Sequence, residues 1–411
     1  MVITKNIKIS IIISIPLFLL GVILISQRFH IEEEKLKSQE IKPIEEVAGE
    51  DIFQVFVEDL KEGINKIGNI AVTKIVPQTI KEISLGENVC LGEVDNNLTI
   101  KTFSTRYGGQ YEIFYKNKKI DEGDYLFEGN KIQISIFSYQ NSQYIDVISY
   151  TGGSGGLWRV HDLYILNKEK NNKLRRVRHL YNDTPFSFSE NNGYVIISYK
   201  DFLYIVSSQS GSVGAGACQA STSIFSLQHD REIEEKHFYA GCYGSFMVTI
   251  YPEIFLVEKD NKFYIKVRNG YFYVLDDFSG SDLKNFRLPQ YWAGVDEYYL
   301  IKEGKLIRAN TDFKKQYLQT AEKYNRILKE GLDKAGNITI HQAEELSIGK
   351  GWPSLLLGKV LNLIFAGEKE LAWKEFNEDF VELSAKYPLD IKVDPTKLRQ
   401  EIQKDMSERR N

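Results

Sequence analysis

Gly152, Gly153, Ser154, Gly155 and Gly156 spell G-x-S-x-G, the string in which glycines let a strained turn present a serine nucleophile. That mechanism needs a strand before the serine and a helix after it. Here LWRVHDLYIL follows, an apolar and aromatic run that reads as a second strand, so a glycine-rich hairpin loop is expected. A second such string, GSVGAGA from Gly211 to Ala217, lacks the lysine and following helix of a phosphate-binding loop. His229 and His237 share a run with Asp230, Glu232, Glu234 and Glu235. Imidazoles and carboxylates together can hold a metal, but no spacing here matches two histidines one helical turn apart, and a solvated polar loop is the expectation. Asp276, Asp277 and Asp282 around Ser279 and Gly280 read in the same way, as a polar loop after a strand. No catalytic residue is assigned on this basis. An enzyme would be indicated if two or three of Asp146, Asp162, Asp201, Asp276 and Asp277 converged in a deep pocket.

The segment DKAGNITIHQAE, Asp333 to Glu344, resembles an EF-hand calcium loop. Asp333 takes its first position, Asn337 the fifth, Ile340 the eighth and Glu344 the twelfth. Ala335 stands where a third-position oxygen ligand belongs, and Ile338 replaces the glycine of the sharp turn. Losing a ligand and the turn geometry weakens binding, so Asp333, Asn337 and Glu344 are degenerate candidates for Ca2+, and the expected role is a helix-to-helix connection without cofactor.

Three cysteines suit an exported chain without demanding one. Cys218 and Cys242 lie in similar settings, GAGACQ and AGCYG, and can pair as a disulfide if their strands are neighbours, leaving Cys90 free; three thiols are the alternative. Arg175, Arg176, Arg178 and His179 make one locally basic strand, suited to an anionic polymer or to an edge strand kept soluble by charge. The whole chain carries a net charge of -4, which excludes the basic surface that nucleic-acid binding requires. Aromatic residues make up 12% and can stack on sugar rings, but they also favour strands in their own right.

The elements that must position these residues begin with an anchor. Ile9 to Gln27 is a run of 19 residues without a charge. At about 1.5 Å per residue a helix of that run is roughly 28 Å long, enough to cross the hydrocarbon core of a bilayer. The membrane contact is placed at residues 7–27. A cleaved signal peptide is the alternative, opposed by the length of the apolar run and by bulky Leu24 two positions before Ser26. Lys5 and Lys8 precede the helix while Glu32, Glu33 and Glu34 follow Arg28, so the amino terminus is expected in the cytoplasm and the bulk of the chain in the periplasm or outside the cell. Arg28, Lys35 and Lys37 pull the other way. Residues 1–30 thus form the cytoplasmic tip and signal-anchor, and residues 31–50, rich in Glu and Lys, a solvated stalk.

After the stalk, residues 51–310 are assigned a short helix followed by an all-β domain, and residues 311–411 an α-helical domain. Phe53, Phe56, Leu60, Ile64 and Ile67 recur at spacings of three and four, predicting an amphipathic helix ended by Gly68 and Asn69. The period then falls to two: Ile132, Ile134 and Ile136, then Phe246, Val248 and Ile250, then Phe263, Ile265 and Val267 mark strands broken by turns. Similar hairpin strings aligned on Ile113, Tyr164, Tyr204, Phe255 and Tyr299 are spaced by 51, 40, 51 and 44 residues. That spacing suits an irregular propeller of about five blades, with a sandwich as the alternative. From Asp312, expected as a cap, helical patterns carry Tyr317, Ala321, Tyr324 and Leu328, then Leu355 to Phe365, then Ala372, Phe376, Phe380 and Leu383, then Leu398, Ile402 and Met406. The functional expectation is a membrane-anchored envelope protein that binds or scaffolds another protein or a cell-wall polymer. An anchored hydrolase of envelope glycan or ester substrates is the alternative.

Overall fold

The structure is a computed structural model describing residues 51–60, 63–105, 108–125, 131–153, 156–167, 173–182, 194–212, 217–228, 231–243, 253–272, 292–388 and 395–408. The anchor and stalk expected over residues 1–50 lie outside the described residues, as do Phe246, Val248 and Ile250. Among the described residues no helix is long and apolar enough to cross a membrane.

Among the described residues, twenty strands form four antiparallel sheets. The first sheet runs β5 (Asn88–Cys90), β6 (Leu98–Thr105), β7 (Gly108–Tyr115), β8 (Lys118–Tyr125). The second joins β9 (Lys131–Tyr139), β10 (Ser142–Gly153), β11 (Gly156–Asn167) and β12 (Lys173–Asn182), with β4 (Gln78–Ser84) along the outer side of β9. The third joins β13 (Tyr194–Tyr199), β14 (Phe202–Ser212), β15 (Ala217–Gln228) and β16 (Arg231–Tyr243), with the hairpin of β2 (Gly63–Ile67) and β3 (Ile70–Ile75) beside β13. The fourth joins β17 (Ile254–Lys259), β18 (Lys262–Phe272), β19 (Trp292–Lys302) and β20 (Lys305–Arg308), with β1 (Ile52–Phe56) beside β17. The amino-terminal segment thus visits the sheets in reverse, fourth to first, and the later chain returns through them as four meanders.

Alternation gives the second, third and fourth sheets two apolar faces and the first sheet one, and the sheets stack in series to bury them. Ile113 and Tyr164 belong to the core between the first and second sheets, Tyr144, Leu163 and Ile205 to that between the second and third, and Val206, Leu256 and Ile265 to that between the third and fourth. The outer face of the fourth sheet is covered by helices. The propeller is therefore not supported: no core cluster among the described residues joins the first sheet to the fourth. The apparent fifth repeat arises because the strings at Phe255 and Tyr299 fall on β17 and β19 of one sheet.

The helix expected over 53–67 is also overturned. Residues 52–56 and 63–67 are β1 and β2, with a 3-10 turn at Val57–Asp59 following β1. Gly63 has φ +97, which no helix accepts, and β1 gains a full ladder against β17 some two hundred residues away, a partner local periodicity cannot reveal.

Tight turns gather at one end of the stack. Lys116–Asn117, Asp260–Asn261 and Glu303–Gly304 have positive φ at both turn residues, the hairpin geometry that follows strand twist. Across sheets, Tyr139 OH donates to Lys200 O at 3.2 Å and Ser226 Oγ to Gly304 O at 2.5 Å, tying turn ends of the second, third and fourth sheets together.

The helices are α1 (Lys314–Glu330), α2 (Ile340–Leu346), α3 (Trp352–Phe365), α4 (Lys369–Lys386) and α5 (Pro395–Glu408). Every residue of α3 is buried, because it is enclosed by β19, α1 and α4. Gly358 lets α1 approach: a Cβ there would sit 2.8 Å from the Tyr324 ring. Asp312 does not cap α1; it lies in the preceding 3-10 turn, where its Oδ2 accepts from Tyr264 OH at 2.9 Å.

Candidate functional site

Asp146 and His161 occupy neighbouring strands, β10 and β11, and face the third sheet. Both are fully buried. His161 Nδ1 lies 3.0 Å from Asp146 Oδ2, and Tyr194 OH, at the start of β13, donates to the same oxygen at 2.9 Å. The Tyr194 ring meets the imidazole edge-on at 5.1 Å. Burial, then the Asp146 charge, raises the Tyr194 phenol well above its ordinary value, so it stays a donor. An imidazole oriented by a carboxylate is the arrangement of a general base, but a base must touch its substrate and this one has no exposed surface. It ties two sheets together through a polar contact inside an apolar layer.

Asp162, one residue on, faces the first sheet instead. It accepts from Tyr111 OH, while Tyr164 OH donates to Asp121 Oδ2 at 3.1 Å. Arg176 spans both carboxylates, 3.1 Å from Asp121 and 3.4 Å from Asp162. Gly123 is required here, since a Cβ would lie 2.5 Å from the Tyr111 hydroxyl. Asp146 and Asp162 therefore occupy opposite faces of one sheet and Asp201 an exposed turn; Asp276 and Asp277 lie outside the described residues. The carboxylates that are described do not converge.

The acidic run around His237 is a strand, β16, in place of the expected loop. Alternation splits it: Glu234 accepts from Leu306 N of the fourth sheet, while Glu235 and His237 share the opposite face. His237 Nδ1 is 2.7 Å from Ser223 Oγ on β15, and its Nε2 is 3.5 Å from Glu235. His229, Asp230, Asp282 and Ser154 lie outside the described residues. Gly153 pairs with Gly156 across β10 and β11, so the serine string joins strand to strand, without the helix a nucleophile elbow needs. Gly211 to Ala217 likewise joins β14 to β15. The basic strand is β12, at the edge of the second sheet.

In the Asp333 loop the carboxylate is occupied by backbone: Asp333 Oδ1 accepts from Ala335 N at 2.8 Å and Asn337 N at 2.9 Å. Thr339 and Gln342 form a capping box that starts α2 at Ile340, so Glu344 sits within the helix. Among the described residues no three His, Cys, Asp or Glu side chains gather as a metal site.

An open groove of about 470 Å3 lies at the tight-turn end of the third and fourth sheets, lined by Phe202, Gln228, Arg231, Glu232, Ile233, Glu303 and Lys305. It combines two cations, two carboxylates, an amide and two apolar side chains.

Sequence reasoning named Asp146 and Asp162 but not His161, Tyr194 or the groove. The readable signal was a charged or imidazole side chain inside an apolar strand, YIDVI and RVHDLY, where alternation alone would place a hydrophobe. The groove had no such signal, because its lining comes from turns far apart in the chain. No family model, curated protein or solved structure matches the chain.

Proposed function

We propose that the chain is a membrane-anchored envelope protein whose stack of sheets binds or scaffolds another protein on the extracytoplasmic side. The observation that carries this reading is the groove at the tight-turn end. Arg231 and Lys305 beside Glu232 and Glu303 suit a partner bearing both charges, as a peptide segment does, better than a polyanionic wall polymer, which the two carboxylates would repel. Ile52 opens β1 opposite Lys259, next to the Asp260–Asn261 turn, so the chain rising from the stalk enters at a tight-turn end as well. A partner in the groove would be met on the side from which the anchor comes.

Two experiments test this. A photo-crosslinking residue at Ile233 of the full chain in membranes should give a discrete protein adduct that the double substitution Arg231→Glu, Lys305→Glu abolishes; an adduct pattern indifferent to those charges would overturn the groove as the contact. A reporter active only outside the cytoplasm, fused after residue 90, should be active, and a stable inactive fusion would sink the export reading.

A second reading, an extracytoplasmic hydrolase of glycan or ester substrates, draws support from Ser223, His237 and Glu235 on one sheet face. If it holds, Ser223→Ala should abolish ester hydrolysis by the purified chain while leaving its thermal unfolding unchanged.

A further inference from the structure

The ladder between β15 and β16 runs in unbroken register from Ala217 opposite Tyr243 to Ser226 opposite Glu234, and its second pair is Cys218 opposite Cys242. The chain has three cysteines, and two of them, 24 positions apart in sequence, occupy facing positions on adjacent antiparallel strands. Directly opposed residues in such a ladder have Cα atoms about 4.5 to 5.5 Å apart, whichever kind of pair they form. Disulfides span Cα separations of about 4.4 to 6.8 Å, so the backbone already meets the requirement without moving.

We propose that Cys218 and Cys242 are oxidised to a cross-strand disulfide that fastens the end of the β15–β16 ladder. The reaction is disulfide exchange with an oxidised dithiol carrier of the envelope, or with glutathione disulfide in the test tube. The thiolate of one cysteine attacks a carrier sulfur and displaces the other carrier sulfur as a thiolate. The second cysteine's thiolate then attacks the mixed disulfide, forming the Cys218–Cys242 bond and releasing the carrier fully reduced. The two thiols lose two protons and two electrons, and the carrier gains them. Cys90 takes no part: it is exposed on β5 of the first sheet, its Sγ donating to Asn96 O at 3.4 Å.

The position gives the bond a task. β15 and β16 are among the longest strands, and the pair lies one step from the end of their ladder opposite the one where Gln228 faces Arg231 and the chain passes from β15 to β16. A covalent link there prevents fraying where no turn holds the strands together.

The test titrates thiols of the purified full chain with a maleimide under denaturing conditions, after equilibration in a glutathione buffer with the reduced form in excess, which leaves lone thiols reduced while a paired dithiol closes. One reactive thiol is expected, and peptide mass spectrometry should find Cys218 and Cys242 joined with the loss of two hydrogens. Cys90→Ser should leave none, and Cys242→Ser should leave two. Three reactive thiols in the oxidised wild type, or a linkage through Cys90, would overturn the proposal. Because this readout uses purified protein, it is independent of the export reading. The thiol state in intact cells tests that reading separately, with the pair expected oxidised outside the cytoplasm.

Discussion

Between the second and third sheets, Asp146 and His161 sit fully buried in an apolar layer, sharing one tyrosine. Around α3, 14 consecutive buried residues include one cation, Lys359, whose Nζ reaches Asp379 at 2.6 Å, Glu375 at 2.7 Å and Asn325 at 2.9 Å. Both cores are dominated by hydrophobes, yet they commit their polar groups differently. The sheet interface encloses the carboxylate, the imidazole and the phenol alike, so no water can replace a lost partner. The acids facing Lys359 remain 20% and 30% exposed and can turn outward. Polar contacts should therefore be indispensable between the sheets and dispensable around the helix, where apolar volume carries the stability.

Removing volume from the helical core should have the largest effect. Trp352 is 1% exposed, packs edge-on against Phe380 at 5.5 Å, and donates from its indole to Tyr387 O at 3.3 Å. Trp352→Ala should cost about 3–5 kcal/mol in urea unfolding followed by helical circular dichroism. Next, Asp146→Val leaves His161 Nδ1 and Tyr194 OH without their acceptor and should cost about 1–3 kcal/mol. Adding His161→Leu and Tyr194→Phe should recover most of that loss; strictly additive penalties would break the comparison by showing that the contact is not a unit.

Acid should act more gently, on the fourth sheet. Burial raises the Glu297 carboxyl, but Arg308 together with hydrogen bonds from Tyr271, Asn269 and Tyr299 outweighs it and holds the group below its ordinary 4.5. Asp296 is likewise raised by burial and brought below its ordinary 3.8 by Arg268 and Lys266. Depressed carboxyls stabilise the fold at neutral pH, and that contribution is lost as pH falls through about 4 and below. The urea midpoint should drop over that window, and Arg308→Gln should flatten the drop. The smallest effect is expected from Lys359→Met, within about 1 kcal/mol of wild type in either direction, since its partners can be solvated. A loss as large as that of Asp146→Val would erase the contrast between the two cores.

Local pattern carried much of the architecture. Ile132, Ile134 and Ile136 and Phe263, Ile265 and Val267 do line strands, and the apolar residues named for four carboxy-terminal helices lie on those helices. What failed was long-range. β1 looked helical because its remote partner β17 is invisible to a period of three or four, and β2 because that period overrode its hairpin with the adjacent β3. The propeller failed because a hairpin repeat says nothing about whether a stack closes. Of the candidate site residues, Asp146 and Asp162 were visible as charges in apolar strands, but not that adjacent strands would turn them to opposite faces. The groove was illegible because Phe202, Gln228, Arg231 and Glu303, far apart in the chain, meet only in three dimensions.

The backward passage of the amino-terminal segment has a consequence for biogenesis. Strands β1 to β4 leave the ribosome first, yet β4 must wait for β9, β3 for β13 and β1 for β17. Until about two hundred further residues have emerged, β1 is an unpaired apolar edge, and the high sequence separation of these pairings slows their formation. The fourth sheet cannot be completed until synthesis has passed its last strand, so its first strand is the earliest made and among the last to be paired.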